Sequence, residues 1–225
     1  MHASLDESKL LACRRCPRLV EALATYRRAH PDSYALPVPA RGPRDARVLI
    51  VGLAPGRRGA NHTGLVFAGD ASGRFLFQAL ARTGFSTSSD PLTARLKDLR
   101  MTNALKCWPP GNQPRAQEFD RCRRWFAPEI AEFWRPAMRK PRVIVTLGRL
   151  AHEQLRRLLG DADANAGHAI AEFPAFSHGG QARLQPTLTV ISSYHPSLQN
   201  VNTKRLTPPM LQEVFLAARR ALAVG

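Results

Sequence analysis

The segment from residue 48 to residue 70 reads VLIVGLAPGRRGANHTGLVFAGD. It opens with an aliphatic run typical of a buried strand and continues with five glycines and a single carboxylate, Asp70. A glycine-rich loop after a buried strand often brings its backbone close to a ligand. The strand end offers no acid or nucleophile, because Leu53, Ala54 and Pro55 occupy it. The segment therefore predicts a ligand site in an α/β fold and leaves open which groups carry the chemistry.

The rest of the chain repeats this pattern of strand and loop. Short aliphatic or β-branched runs, each followed by a Gly, Asn, Pro or His cluster, predict four buried parallel strands. Helical spacing predicts a helix that Gly160 stops, another that is interrupted near Pro128, and a C-terminal helix. The strands are expected at residues 47–52, 99–105, 142–148 and 188–194, the helices at 150–159, 115–134 and 210–222, and an irregular excursion at 160–186. We therefore expect a single domain over residues 1–225, with a three-layer α/β/α fold around a small central parallel four-stranded sheet.

The charge of the chain favours a polyanionic partner. The sequence holds 33 Lys and Arg residues against 17 Asp and Glu residues, a formal net charge of +16. Arginine clusters suit phosphate contacts, although a GC-rich genome would also raise the use of arginine. The N-terminal residues lack an apolar leader, and no stretch reaches the roughly 18 apolar residues that a membrane span needs. We expect a cytoplasmic enzyme without a membrane partner.

Four cysteines form the second chemical pattern. Cys13 and Cys16 make a C-x2-C pair flanked by arginines, whereas Cys107 and Cys122 follow far downstream. In a reducing compartment such cysteines are buried thiols or metal ligands rather than disulfides. The arginine-rich flanks favour ligands, and the spacing alone does not choose between zinc and an iron–sulfur cluster.

Polar residues stand where two of the predicted strands end. Asn103 closes the second strand, and its amide could read the paired donor and acceptor of a pyrimidine edge or simply cap a turn. His195 follows the last strand and precedes Pro196, which holds it in extended geometry at the mouth of the sheet. Because ligands bind at the carboxyl ends of parallel strands, we interpret His195 as functional rather than structural.

Together these segments resemble one family. The loop GLAPGRRGANHTGLVFAGDASG, the TNALKC segment, the HPSLQNVNTKRLT segment and the four cysteines are similar, in this order and spacing, to the uracil-DNA glycosylase superfamily, family 5, the iron–sulfur type B enzymes. The resemblance covers nearly the whole chain. It implies a 4Fe-4S cluster with a structural role, held by Cys13, Cys16, Cys107 and Cys122.

The resemblance also implies an activity. It predicts hydrolysis of the bond between uracil and deoxyribose in DNA, with hypoxanthine and other deaminated bases also accepted, as the first step of base excision repair. The expected partner is double-stranded DNA, and the protein is expected to associate with the nucleoid during repair. A monomer without a nucleotide cofactor is expected. Two alternatives are a main substrate other than uracil and a catalytically silent iron–sulfur protein that binds damaged DNA.

Site residues follow from matched motif positions. Relatives in the superfamily carry a water-activating acid or amide where Leu53 and Ala54 stand here, so Asp70 becomes the candidate that positions water or stabilises a cation-like sugar, with a helix cap as the plainer interpretation. His195 would stabilise the departing base anion, and Asn103 would act with it. Phe67 matches the platform on which the extruded base stacks, although a core phenylalanine would look the same. The base pocket would also use Gly52, Leu53 and Ala54, and the DNA contacts would be Ser197, Leu198 as a wedge, and Lys204 or Arg205 at phosphates.

One departure from the family lies in the first loop. Arg58 stands where a histidine is expected, and His62 stands where an arginine is common. Because arginine cannot act as a base near neutral pH, His62 is a hypothetical replacement for any water-orienting role of that histidine.

Overall fold

A mixed five-stranded sheet lies at the centre of the computed structural model, which describes residues 6–134, 140–166 and 173–223. The strands are β1 (Val48–Gly52), β2 (Leu99–Asn103), β3 (Arg142–Leu147), β4 (Gln181–Gln185) and β5 (Leu188–Ser193). Their order across the sheet is β2-β1-β3-β5-β4. Strands β2, β1, β3 and β5 run parallel, and β4 pairs antiparallel with β5 at one edge.

Helices cover both faces of this sheet. They are α1 (Glu7–Leu11), α2 (Pro17–Ala29), α3 (Ala60–Thr63), α4 (Ala71–Arg82), α5 (Ala116–Trp134), α6 (Arg149–Ala166), α7 (Leu198–Asn202) and α8 (Pro208–Ala223). A short 3-10 turn spans Pro110–Asn112. Among the described residues, no helix combines the length and apolar composition needed to cross a bilayer.

The alternation of side chains along β1 produces the three layers. Val48 and Ile50 pack into the core formed with α4 and α8, whereas Leu49 and Val51 pack into the core formed with α5 and α6. Successive residues of a strand point to opposite faces, so a strand that is apolar throughout must be covered on both sides. The α/β/α prediction is confirmed.

The sheet corrects the sequence analysis in one respect: it has five strands, not four. The additional strand, β4, lies inside the region that the sequence predicts as irregular. Its residues are polar except for Ala182 and Leu184, and Leu184 alone is fully buried. Edge strands carry polar residues because one side faces solvent, so the pattern resembles a loop. Part of the same region, residues 167–172, lies outside the described residues.

Two predicted helix breaks are also wrong. Helix α6 continues past Gly160 to Ala166, and α5 continues through Pro128. A glycine in a helix interior costs only about 1 kcal/mol, so it ends a helix only where the backbone turns left-handed, and Gly160 does not. The C-terminal helix and the four parallel strands are confirmed.

The strand order creates a crevice for the site. From β1 the chain goes to β2 on one side and then to β3 on the other. At such a switch point the loops leaving neighbouring strands diverge, and ligands bind outside the carboxyl ends. The loops after β1, β2 and β5 meet at this edge.

Candidate active site

One cavity of about 460 Å³ opens at the carboxyl edge of the sheet. The loop after β1, the segment after β2 and the segment after β5 all line it. Seven of the predicted site residues share its wall: Leu53, Ala54, Phe67, Asp70, Asn103, His195 and Ser197. Asp70 is the only carboxylate among the described residues that line the cavity.

Asp70 has two roles in this geometry. Its Oδ1 accepts a hydrogen bond from the Gly73 amide at 2.9 Å and caps α4. No donor in the described parts of the chain is bound to Oδ2, which faces the glycine-rich loop. A Cβ atom at Gly59 would stand 2.2 Å from Oδ2, and one at Gly56 would stand 2.9 Å away. The two glycines therefore leave the room in which this carboxylate sits, and the cap fixes its orientation.

Asn103 presents its side-chain amide to the cavity. It is 3% exposed and pairs in register with Gly52 at the end of β2. No side chain or backbone group in the described ranges hydrogen bonds to this amide. A Cβ atom at Gly52 would stand 2.3 Å from Asn103 Oδ1, so only glycine fits beneath it. An amide that lines a cavity with both its donor and its acceptor open is suited to a polar ligand edge.

His195 lies in the segment after β5, at the same edge. Burial lowers the pKa of His195 below its usual value, and the nearby charge of Asp70 opposes the shift. The ring is therefore neutral near pH 7 and can donate one N–H. The Asn200 amide donates to the His195 carbonyl oxygen at 2.8 Å, which fixes the backbone from α7.

Phe67 forms the other wall near His195. The two ring centroids lie 6.1 Å apart at an interplanar angle of 37°. Phe67 has a left-handed backbone with φ of 55°, a conformation rare for a bulky residue. A Cβ atom at Gly52 would stand 2.9 Å from the ring, so Gly52 lies beneath both Phe67 and Asn103 without lining the cavity itself.

Two residues that hold the backbone around His195, Asn200 and His178, were not predicted from the sequence. Besides Asn200, His178 supports the strand end that precedes His195: its Nδ1 accepts from the Tyr194 amide at 3.2 Å, and its ring stacks on Tyr194 with centroids 5.0 Å apart. Burial lowers the pKa of His178, which keeps Nδ1 free to accept. His178 lies in a region of the sequence without a periodic pattern. Its contact with Tyr194 therefore becomes visible only in the structure.

The predicted replacement of a water-orienting histidine by His62 does not fit the geometry. Neither His62 nor Arg58 lines the cavity. His62 Nδ1 lies 3.4 Å from the Tyr26 hydroxyl, and its ring meets that of Tyr26 edge-on. Asp70 therefore stands alone as the acid of this site within the described residues.

The predicted DNA-contact segment flanks the cavity and extends from it. Ser197 lines the cavity and caps α7, and Leu198 beside it is 59% exposed. Lys204 and Arg205 are exposed and lie away from the cavity wall, with the Arg205 guanidinium 4.6 Å from the centre of the Tyr194 ring. The segment thus presents an apolar tip beside the opening and cations farther out.

The four cysteines come together although they are distant in sequence. All four line one small cavity between the N-terminal segment, the segment after β2 and α5. None forms a disulfide. Among the described residues no three histidine, cysteine, aspartate or glutamate side chains are grouped to hold a single metal ion.

The surroundings of the cysteines suit thiolate ligands. Burial raises the pKa of Cys122 to about 12 and also raises those of Cys16 and Cys107, so without a metal these thiols are protonated. Two donors already point at sulfur: the Lys106 amide lies 3.3 Å from Cys122 Sγ and the Trp125 indole N–H 3.4 Å from Cys13 Sγ. Donors of this kind stabilise negative sulfur, so the residues fit a metal–sulfur group.

A buried ion pair ties the catalytic side to the cysteine side. Lys106 Nζ lies 2.6 Å from Glu129 Oε2 and 2.5 Å from Thr102 Oγ1. The lysine side chain is 1% exposed, and that of Glu129 is 7% exposed. Because removing one partner of a buried pair leaves an uncompensated charge, this contact fixes the segment between Asn103 and Cys107 against α5.

Comparisons with known proteins agree with the geometry. A family model described as the uracil DNA glycosylase superfamily matches residues 39–219. The chain is 38% identical to the type-5 uracil-DNA glycosylase of Mycobacterium leprae, over 96% of this chain and 94% of that protein. It is 39% identical to those of Thermus thermophilus, over 94% of each chain, and of Pyrobaculum aerophilum, over 96% and 90%. The chain belongs to the uracil-DNA glycosylase superfamily, in its type-5 group.

Proposed function

We propose that the protein is a DNA glycosylase that hydrolyses the N-glycosidic bond of uracil in DNA and so begins base excision repair. One observation carries the proposal: Asp70, Asn103, His195 and Phe67, which come from three separate segments of the chain, line the same cavity. A cavity of about 460 Å³ falls in the size range of small-ligand pockets. A base inside duplex DNA must leave the stack to reach such a pocket.

In this mechanism the extruded uracil lies on Phe67, and the Asn103 amide pairs with its polar edge. As the bond between base and sugar breaks, its electron pair leaves on the base. The neutral His195 donates an N–H to the carbonyl oxygen where this charge develops. The free Oδ2 of Asp70 positions water or stabilises the cation-like sugar. The water oxygen bonds to the sugar carbon, its proton passes to solvent, and the released base anion takes a proton from solvent.

The substrate range and working conditions belong to the same proposal. Hypoxanthine and other deaminated bases are proposed as further substrates, double-stranded DNA at the nucleoid as the natural form, and the monomer as the active unit. The net charge of +16 supports the DNA partner, since cationic surfaces gain affinity by releasing counterions from DNA.

The deciding experiment is single-turnover cleavage of a labelled duplex with one central uracil, followed by alkali. Matched duplexes carry hypoxanthine or only normal bases, and the same uracil strand is also tested single-stranded. We expect cutting at uracil, slower cutting at hypoxanthine and none at normal bases. Tight binding of the uracil duplex without cutting at any altered base would instead establish the alternative, a silent protein that captures damaged DNA.

We also propose that Cys13, Cys16, Cys107 and Cys122 hold a 4Fe-4S cluster. The four cysteines line one cavity, Cys122 buried and the others partly buried, and two donors lie near sulfur, which supports the proposal. When bound, the cluster would supply a covalent tie between the N-terminal segment, the segment after β2 and α5. Hydrolysis of a glycosidic bond needs no electron transfer, so the role is structural.

Replacing Cys122 by serine is expected to remove iron and sulfide and to lower the melting temperature by about 10 °C or more. A cross-link that closes a loop of roughly 100 residues is worth about 4–5 kcal/mol in chain entropy, and each kcal/mol moves the melting temperature of a chain this size by about 2–4 °C. Metal and sulfide analysis and calorimetry of protein purified without oxygen test this. Wild type stripped of iron should melt like the variant; zinc in place of iron, or an unchanged melting temperature, would contradict the proposal.

A further inference from the structure

A cluster of one cation and two aromatic rings lies beside the catalytic cavity. The Arg57 guanidinium carbon is 5.6 Å from the centre of the Tyr26 ring and 5.9 Å from that of Trp108. The two ring centroids are 5.7 Å apart. Contact with two aromatic faces restricts the guanidinium to one region and stabilises it by cation–π attraction.

The Arg57 side chain is exposed and unpaired within the described part of the chain. No Asp or Glu oxygen among the described residues lies within the 4 Å of a salt bridge to it. Arg18, which lines a second cavity together with Arg57, behaves differently, because it makes a two-pronged contact to Glu118 at 2.8 Å. Of these two arginines, Arg57 is therefore the one whose charge can meet an anionic ligand.

The position of the cluster relates it to the catalytic cavity. Gly56, directly before Arg57, lines that cavity, and so does Pro109, directly after Trp108. Arg57 and Trp108 themselves face a separate cavity of about 380 Å³, bounded on its other side by α2. The same two loops thus form one wall of each cavity.

The second cavity is chemically uneven. Tyr26, in the C-terminal half of α2, meets Arg57 and Trp108 at one end, whereas Arg18 and exposed Glu21 lie earlier on the same helix, where the Glu21 carboxylate would repel a phosphate. The Trp108 Nε1–H is buried and has no hydrogen-bond partner in the described residues. This N–H is enclosed, so the exposed Arg57 guanidinium, and not the indole donor, is the group that a ligand in the cavity meets. An anion is therefore expected at the Arg57 end and not at the Glu21 end.

We infer that Arg57, held against Tyr26 and Trp108, binds a backbone phosphate of the DNA next to the extruded nucleotide. The inference rests on the proposed function. Extruding a base moves its flanking phosphates, and a guanidinium suits phosphate through paired N–H donors. Because the rings already restrict Arg57, less side-chain entropy is lost when the contact forms.

The test measures binding of wild type and Arg57→Gln to a labelled duplex that carries a stable abasic-site analogue, at several salt concentrations. Loss of one phosphate contact should weaken binding roughly 10-fold at 0.1 M salt and lower the slope of log affinity against log salt by about 0.9. Arg82→Gln is the matched control. Arg82 is an exposed arginine at the far end of α4, about 18 Å along the helix from Asp70, and should change neither quantity.

Two further variants separate a phosphate contact from a general loss of fold. Trp108→Phe keeps a ring under the guanidinium and should bind nearly as wild type does, whereas Trp108→Leu should lose part of the affinity. The second measurement replaces the phosphates around the abasic analogue, one at a time, by uncharged methylphosphonates. One position should weaken wild type and leave Arg57→Gln unaffected, since the variant has already lost that contact.

Each outcome decides the inference. If wild type cuts uracil DNA but Arg57→Gln keeps its affinity and salt slope, or if no single phosphate couples to Arg57, the phosphate contact is refuted and the proposed function stands. If wild type neither cuts nor binds altered DNA, both are refuted. Weakened binding with a coupled phosphate establishes the contact.

Discussion

Replacing Asp70 by asparagine is expected to lower the single-turnover rate of uracil release by roughly 10²-fold or more. Asparagine caps a helix about as well as aspartate, so the hydrogen bond from the Gly73 amide should persist. The variant therefore removes the charge at Oδ2 and little else. Single-turnover cleavage of the uracil duplex, measured beside the melting temperature, tests whether rate and stability separate as expected.

Two comparisons make the Asp70 result decisive. Asp70→Ala loses cap and charge together, so it should be as slow as the asparagine variant and also less stable by about 1 kcal/mol. Asp6, which caps α1 in the same way far along the chain, supplies a matched control, because Asp6→Asn should leave the rate unchanged. A fast Asp70→Asn enzyme with a destabilised Asp70→Ala would mean that Asp70 only caps α4.

Replacing His195 by alanine is expected to lower the rate of uracil release by about 10²- to 10³-fold, as does the loss of one donor from an oxyanion site. The neutral ring donates to an oxygen whose charge grows only as the base departs. Binding of the intact base should therefore fall less than the rate does. The measurement pairs single-turnover rates with the affinity for a duplex carrying an uncleavable uracil nucleotide.

A second histidine variant tests the donor itself. His195→Gln keeps an N–H donor on a side chain of comparable reach and should recover part of the rate that alanine loses. His152 offers a contrast, because its ring is bound inside the fold, 3.1 Å from Thr146 Oγ1 and 2.8 Å from the Pro174 carbonyl oxygen. His152→Gln should lower stability rather than the rate of folded enzyme. Equal losses of rate and affinity in His195→Ala would contradict the leaving-group role.

Much of the fold could be predicted because it depends on local pattern. The aliphatic runs of β1, β3 and β5 are buried on both faces, and such runs are typical of parallel strands. Edge strand β4 was not predicted, because its exposed residues, among them Arg183, hide the apolar pattern of a strand. The helix breaks predicted at Gly160 and Pro128 were wrong, because packing of α6 and α5 against the sheet outweighs a local cost of a few kcal/mol.

The site, like the fold, could be predicted from the sequence only in part. Asn103 and His195 could be singled out because each stands at the end of a strand, a place fixed by topology, whereas Asp70 was singled out because it matches an acid of the family that the chain resembles. The cluster of Tyr26, Arg57 and Trp108 was not found, because those residues lie on three segments with no shared spacing. Contacts of that kind depend on how loops fold back on one another, and a single sequence does not report it.

The left-handed backbone of Phe67 sets stability against function at one residue. Holding a bulky residue with φ of 55° costs the native state about 1–3 kcal/mol, which a glycine at the same position would recover. That glycine would also delete the ring facing His195. It would further lose the packing of Phe67 against the main core and add freedom to the unfolded chain, so relief of the strain does not by itself make the protein more stable. The strain at Phe67 is folding free energy that the protein forgoes while it keeps the ring that we propose as the platform for the base.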